Sequence, residues 1–501
     1  MHGLAVRRRL GIVVPLVLLL GLSAYLRTRT IDASLWIDEG ISVGIASHPL
    51  SEIPGLLRQD GSPPAYYLLL HVWIELASNG EAALRAPSLA FALATVPAAL
   101  WAGRSLFGPR AGWLCALLAA VMPFLTAYAQ ETRMYALVAL LSVLATACFV
   151  HVFVYRRRGY LPAFAVLLAL LLYTHYWALF FASGLLATLA ALAFAASAAQ
   201  RKSLLRDGAL GFGAPALAFA PWLPTFVFQL EHTGAPWSNP PPLAALLGAL
   251  ALGLAAGLLP LLGEGVERQA LRGLALAAAL ALGAAWTSAQ LEPGWATRYL
   301  TMLVGPLPLL TGATLARLRG LGVVAAVALA LVWVVGASPK EKSNVAGMAG
   351  TVAHRLEAGD LVVSTQPEQV PVLAHYLPAG LRYATPLGPV EDPRLMDWRA
   401  ALPRLESAEA DGALVPLLDS LPAGTTVLLV RPDVGDGDRW RAPWTSLVVR
   451  RSDEWEAALA TDERFSRVHA TADPEQTTRT SIRITLYRKE PLADLYGLPY
   501  N

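Results

Sequence analysis

The sequence is short of charge. Only 15% of its 501 residues are Asp, Glu, Lys or Arg, against about 25% in an ordinary soluble domain. Lysine is nearly missing: Lys202, Lys340, Lys342 and Lys489 stand against 35 arginines, and the net charge is +3. So small an imbalance, with no long basic stripe, excludes nucleic acid as a partner. Cysteine is almost absent as well. Cys115 and Cys148 both lie inside apolar runs, which excludes a disulfide framework and a cysteine-based zinc site. No Gly-rich phosphate loop follows any strand-like segment, and the chain carries no internal repeat or low-complexity segment.

What the chain has in quantity is apolar surface: 55% of it is hydrophobic and the mean hydropathy is +0.49. The apolar residues concentrate before residue 338 in runs of about 17–25 residues, the length that crosses a bilayer. Spans are expected at about 10–27, 84–103, 110–128, 135–155, 160–174, 177–198, 207–224, 241–262, 271–289, 298–316 and 320–337. Arg7–Arg9 ahead of the first run suggest a signal peptide. The run continues to about residue 26 without a small-residue cleavage site, so a retained first helix is expected. The basic clusters are Arg7–Arg9, Arg104 with Arg110, Arg156–Arg158, Arg201 and Lys202 with Arg206, Arg268 with Arg272, and Arg317 with Arg319. All fall on one side if the chain starts inside and crosses about eleven times, because short cytoplasmic loops are enriched in Arg and Lys.

Residues 63–77, PPAYYLLLHVWIELA, are too short and too studded with polar groups for a span, and counting them as one would scatter the basic loops. They are expected to form a helix lying in the membrane interface, where Tyr66, Tyr67, His71 and Trp73 suit the depth, within an external loop over 28–83. Beyond residue 338 the composition turns soluble. LVVS after Asp360, TTVLLV at 425–430 and SIRITLY at 481–487 read as strands, and PEQVPVLAHYL reads as a helix. The expected fold class is a polytopic α-helical membrane protein of about 11 transmembrane helices over 1–337, followed by a soluble extracytoplasmic α/β domain over 338–501.

Ionisable residues at a membrane boundary are costly, which makes them the first functional candidates. On the external side they are Asp38-Glu39, Asp60 before Gly61-Ser62-Pro63-Pro64, Gln130-Glu131-Thr132-Arg133-Met134-Tyr135, Tyr173-Thr174-His175-Tyr176-Trp177 and Glu292 with Arg298-Tyr299. Each also has a plain reading. Asp38 and Glu39 suit a helix start, and Asp60 suits a turn. Arg133 and Arg298 suit pairs with Glu131 and Glu292, and His175 suits an aromatic membrane belt.

Taken together, Trp36…Asp38-Glu39, Asp60-x-Ser-Pro-Pro-x-Tyr-Tyr, Leu84-Arg85-Ala86-Pro87-Ser88, Gln130-Glu131-x-Arg133-Met134-Tyr135 and Tyr173-Thr174-His175-Tyr176 resemble the GT-C superfamily of membrane glycosyltransferases. Within it the resemblance is to family 39, the protein O-mannosyltransferase and aminoarabinose-transferase-like group. It covers about residues 1–180, with Arg298-Tyr299 as a weaker echo, and the tail carries no motif of the group.

The resemblance implies an inverting transfer of a monosaccharide from a polyprenyl-phosphate donor to an acceptor hydroxyl on a glycan, lipid or protein, at the outer face of the inner (plasma) membrane. It makes Asp38 the base and Glu39 its orienting partner. The leaving phosphate needs a cation but no acid, and Arg298, then Arg133, then Arg85 are expected to hold it. Asp60, Glu131, Tyr135, His175 and Tyr299 are expected to bind substrate. No cofactor is required. One branch of the group binds a divalent metal at the positions of Asp60 and His175, although two ligands are fewer than zinc takes. The competing reading is a lipid flippase or transporter, which would place charges near mid-membrane rather than at its boundary.

Overall fold

The computed structural model describes residues 2–259, 265–336, 341–434, 441–471 and 480–491. The boundary expected at 337–338, the end of the 241–262 run and the side chains of Arg7–Arg9 lie outside the described residues. Each of the eleven apolar runs is helical. Among the described residues, five helices are at least 18 residues long and apolar over such a window: Glu81–Phe107, Tyr135–Val154, Ala198–His232, Val266–Leu291 and Arg319–Gly336. A sixth apolar unit is bent by 52° between Thr297–Val304 and Pro306–Arg317. The remaining runs form helices of 10–17 apolar residues, among them Gly11–Arg27, Pro109–Val121 and Ala178–Phe194.

The helices run between two chemically different ends. At one end, Arg158 bonds Asp207 at 2.8 Å, Arg156 bonds Ser203 at 2.6 Å and Arg317 bonds Glu267 at 3.2 Å. Arg110, Glu267 and Arg317 line one pocket there. Basic residues from loops far apart in sequence therefore gather at one end of the bundle. The opposite end carries the long loop and the C-terminal sheet.

That loop is folded. It forms the helices Ile37–Ala46, Ile53–Asp60 and Ala65–Leu76. The last of these falls within the 63–77 segment: Tyr66, Tyr67 and Leu70 are buried, whereas Val72 and Leu76 on its other side are exposed. An apolar face turned away from the protein suits lipid.

The tail builds a six-stranded sheet in the order β3-β2-β1-β4-β6-β5. Its strands are β1 (Leu361–Ser364), β2 (Arg382–Thr385), β3 (Gly388–Val390), β4 (Thr426–Pro432), β5 (Phe465–Ala470) and β6 (Ile482–Lys489). β1 is parallel to β2 and β4, and the other pairings are antiparallel. β1, Val427–Val430 of β4, and alternate residues of β6 are buried, in keeping with their apolar sequences.

The sheet does not stand apart from the loop. Leu35, Val43 and Leu84 share a core with Val345, Val372 and Leu428, while Met396, Leu405 and Trp444 join the main core of the bundle. Small residues permit the close approach. A Cβ on Gly40 would lie 2.7 Å from Val372, and one on Gly44 would lie 2.0 Å from the carbonyl oxygen of Arg394. Polar contacts complete the junction: Leu35 N donates to Tyr376 Oη (2.8 Å), Tyr376 Oη donates to Glu81 (2.9 Å), and His48 Nε2 meets Asp392 Oδ2 (2.7 Å). The tail therefore covers the loop that holds the acidic pair.

Candidate active site

Asp38 and Glu39 occupy the first turn of the Ile37–Ala46 helix, where a carboxylate is favoured by the unpaired backbone N–H groups. Consecutive helical side chains point about 100° apart, and these two have different surroundings. Glu39 faces inward and is completely buried. Its carboxylate accepts a forked pair of bonds from Arg85, Nε at 2.8 Å and Nη2 at 2.7 Å, together with Thr132 N at 2.7 Å and Trp36 N at 3.3 Å. The rest of the Arg85 guanidinium donates to the carbonyls of Ile31 (2.8 Å), Ala33 (2.6 Å) and Ser34 (3.1 Å). This pair ties the chain after the first helix, the Ile37–Ala46 helix and the 131–133 turn into one unit.

Asp38 turns the other way. Its Oδ2 lies 3.3 Å from Arg298 Nη2, with 17% of the Asp38 side chain and 11% of the Arg298 side chain exposed. Arg298 enters from the short Thr297–Val304 helix, ahead of the 52° bend at Gly305-Pro306. Gly305 is required there, because a Cβ would sit 2.5 Å from the carbonyl oxygen of Ser142. The Arg298 guanidinium rests over the rings of Trp237 (4.9 Å), Tyr299 (5.5 Å) and Trp36 (5.9 Å), an arrangement that holds a cation with little water.

Arg133 approaches from the far side. Its Nη1 donates to Ser42 Oγ (2.9 Å), to the Asp38 carbonyl (3.3 Å) and to Tyr67 Oη (3.5 Å). Tyr67 in turn donates to Asp60 Oδ2 at 3.2 Å. Asp60 closes the Ile53–Asp60 helix, and Gly61, at φ 91°, makes the left-handed turn after it. Enclosure pushes the Asp60 carboxyl above the usual aspartate range, against the pull of Ser62, Arg133 and Tyr67, and the nearby Asp38 charge adds to the rise.

His175, Tyr135 and Tyr299 pack as an aromatic group, with His175 4.7 Å from Tyr299 and 5.8 Å from Tyr135 between ring centres. His175 Nδ1 accepts from Trp177 N at 3.1 Å. Burial, then the charges of Arg133 and Arg298, lower its pKa to about 3, so the imidazole is neutral. Asp60 and His175, the positions at which one branch of the group binds a metal, are each engaged with a protein partner, and among the described residues no third His, Cys, Asp or Glu joins them. The plain reading of these charges, Arg133 with Glu131 and Arg298 with Glu292, is not what is seen among the described residues. Arg298 pairs with Asp38, and Glu131 pairs with Lys342.

Lys342 is a residue that sequence reasoning did not select. It belongs to the connection into the tail, where its carbonyl accepts from Thr480 N (3.1 Å) and Oγ1 (2.6 Å). Its ammonium pairs with the buried Glu131 and lies over Trp36 (4.8 Å) and Tyr128 (5.5 Å). Glu368, from the turn after β1, was also missed. Nothing in the local sequence marks either one, because both reach the site only through docking of the tail.

The sequence matches no protein-family model, and no curated protein matches it significantly. Solved structures do. ArnT from Cupriavidus metallidurans bound to undecaprenyl phosphate superposes with a TM-score of 0.59 at 15% identity, covering 95% of this chain and 98% of that one. The oligosaccharyltransferase AglB from Archaeoglobus fulgidus, in complex with an inhibitory peptide and a dolichol-phosphate, gives 0.52 at 11%, over 92% of this chain and 73% of that one. The arabinofuranosyltransferase AftD from Mycobacteria gives 0.50 at 13%, over 95% of this chain but only 40% of that one. At such identities the likeness speaks to architecture. The helical bundle, the folded loop and the C-terminal domain together give this chain the fold seen in ArnT, AglB and AftD.

Proposed function

We propose that the chain is an inverting glycosyltransferase that moves a monosaccharide from a polyprenyl-phosphate donor to an acceptor hydroxyl at the outer face of the plasma membrane. The observation that carries this reading is the Asp38–Arg298 pair: a partly open carboxylate and a guanidinium held 3.3 Å apart at one end of an apolar bundle. Transfer needs a base for the incoming hydroxyl and a cation for the departing phosphate. The acceptor oxygen forms its bond to the anomeric carbon as its proton passes to Asp38. The bond from that carbon to the phosphate oxygen breaks, and its electron pair leaves with the polyprenyl phosphate. Attack opposite the leaving group inverts the configuration. In this scheme Arg298 exchanges Asp38 for the phosphate when donor binds, which frees the base at the moment it is needed, and Arg133 steadies the loop from the other side.

Glu39 and Arg85 take a supporting role in this reading. Every oxygen of Glu39 is bonded within the protein, and Arg85 is committed to Glu39 and the 31–34 carbonyls. The gathering of basic loops at the opposite end supports an N-terminus inside and a site outside. ArnT and AglB bear undecaprenyl phosphate and dolichol-phosphate in their structures, which supports a prenyl-phosphate carrier here.

The test is transfer by purified protein in lipid with radiolabelled polyprenyl-phosphate sugars, alongside Asp38→Asn. Release of polyprenyl phosphate that disappears in the variant supports the reading. Unchanged turnover moves the base elsewhere, and lipid movement across the bilayer without transfer favours a flippase.

A further inference from the structure

We infer that Glu368, with Gln366 and Gln369 beside it, forms the acceptor subsite, and that it binds hydroxyl groups of an uncharged glycan and presents one of them to Asp38. The inference rests on the proposed glycosyl transfer and adds the class of acceptor.

The position follows from the sheet. β1 lies between parallel β2 and β4, so the chain leaving its carboxyl end enters the crevice where strand order reverses, the place where open α/β sheets bind ligands. That chain is Thr365-Gln366-Pro367-Glu368-Gln369, and its Pro367–Gln369 turn packs against the Ile37–Ala46 helix that bears Asp38. A second route leads to the same place. Glu368 Oε1 accepts from Trp444 Nε1 at 2.9 Å, and Trp444 N donates to the Pro236 carbonyl at 3.2 Å. The neighbouring Trp237 lies beneath the Arg298 guanidinium. Glu368 and the Asp38–Arg298 pair thus flank one short segment of chain.

The chemistry of Glu368 is not explained by folding. The residue is only 6% exposed, and Oε1 has two donors, Trp444 and Gln366 Nε2 (2.9 Å). Among the described residues, Oε2 is buried with no hydrogen-bond partner, as is Gln369 Oε1. Among the described residues no cation pairs with Glu368, and the charge it senses is that of Asp38. A glutamine would accept the same two bonds without a buried charge, which is costly when unpaired. A carboxylate and two amides bind sugar hydroxyls as donors and acceptors together. Trp398, half-buried and tilted 55° to Trp444 with ring centroids 5.2 Å apart, offers an apolar ring face nearby. Two converging carboxylates repel a phosphorylated or acidic acceptor.

The test is saturation-transfer NMR on the full-length protein in nanodiscs. The probes are methyl arabinofuranoside, mannopyranoside, glucopyranoside and galactopyranoside, with methyl glucuronide and galacturonide as charged counterparts. Wild-type protein is expected to bind at least one neutral glycoside in preference to the uronides. Glu368→Ala is expected to weaken that binding about tenfold or more. Glu368→Gln keeps the bonds to Trp444 and Gln366 and is expected to hold neutral glycosides while losing discrimination against uronides; it decides the matter if the alanine variant does not fold. Asp38→Asn should abolish turnover yet keep glycoside binding, so failure of the reaction and failure of the subsite are separable. Binding of no neutral glycoside, preference for a uronide, or identical behaviour of wild type and both Glu368 variants overturns the inference.

Discussion

Asp38 Oδ2 and Arg298 Nη2 sit 3.3 Å apart, and under the proposed transfer this contact couples binding of the donor phosphate to exposure of the base. A guanidinium paired with a carboxylate holds both quiet. A phosphate that takes the guanidinium leaves the carboxylate able to accept a proton. Arg298→Ala is therefore expected to weaken binding of undecaprenyl phosphate about 10- to 100-fold, the worth of one or two charge-assisted bonds. Asp38→Asn removes the competitor for Arg298 and is expected to bind the same lipid more tightly, while transfer falls about 10²- to 10⁴-fold, the usual worth of a general base. Binding titrations on the two variants check both signs. An Arg298→Ala protein that binds the lipid like wild type would remove Arg298 from the donor site.

The Glu39–Arg85 pair has the opposite character, because both side chains are almost wholly buried. Removing one partner of such a pair strands a charge and costs about 3–5 kcal/mol. Glu39→Gln and Arg85→Ala are both expected to lower the unfolding midpoint markedly, and the double change to Met at both positions to recover part of the loss. A stable Arg85→Ala protein whose only defect is donor binding would return Arg85 to the phosphate.

How much of this is legible in the sequence depends on distance along the chain. The apolar runs and the basic loops locate the bundle because each run is its own signal, and β1, β4 and β6 show as apolar strings. β2, RYAT, is as long as β1 but lacks its unbroken apolar string, and β3 has only three residues; the pairing of both comes from the sheet they extend. Asp38 and Glu39 stand out as a pair, but no spacing tells which one faces Arg298 and which faces Arg85; that depends on how the helix is rotated in the fold. Asp60 and His175 read as a ligand pair only through the family resemblance, and packing gives each a different partner. Lys342 and Glu368 are invisible for the reason that joins them: they act across contacts between the tail and the first loop.

The junction of tail and loop should respond to acid. Burial raises the Asp392 carboxyl, but bonds from Arg394 and from His48 outweigh it and hold it well below the usual aspartate value of 3.8. A carboxyl whose folded pKa is depressed adds stability above its unfolded value and loses it as the pH falls through the folded one. Docking of the tail is thus expected to loosen as pH drops below about 4. Asp392→Asn should lack that component, leaving its protection of Tyr376 and Val43 amides in hydrogen exchange less dependent on pH than in the wild type. Equal pH dependence in the two proteins would mean that other acids govern the junction.

Lys342 and Glu131 make a sharper case, because the carboxylate is 1% exposed and the ammonium reaching it comes from the connection into the tail. Neither Glu131 oxygen has another hydrogen-bond partner among the described residues. Lys342→Ala therefore leaves a buried carboxylate uncompensated two residues from Arg133, and a loss of about 3–5 kcal/mol is expected. The second change decides the cause. Glu131→Gln removes the stranded charge, so Lys342→Ala with Glu131→Gln should be more stable than Lys342→Ala alone, by at least about 1 kcal/mol in a double-mutant cycle. Lys342→Arg should keep both the charge and the position over Trp36 and Tyr128 and stay near wild type. If the two single losses simply add, the ion pair does not tie the tail to the 131–133 turn, and the apolar core around Val43 and Val372 with the Tyr376 and Asp392 contacts holds the tail in place.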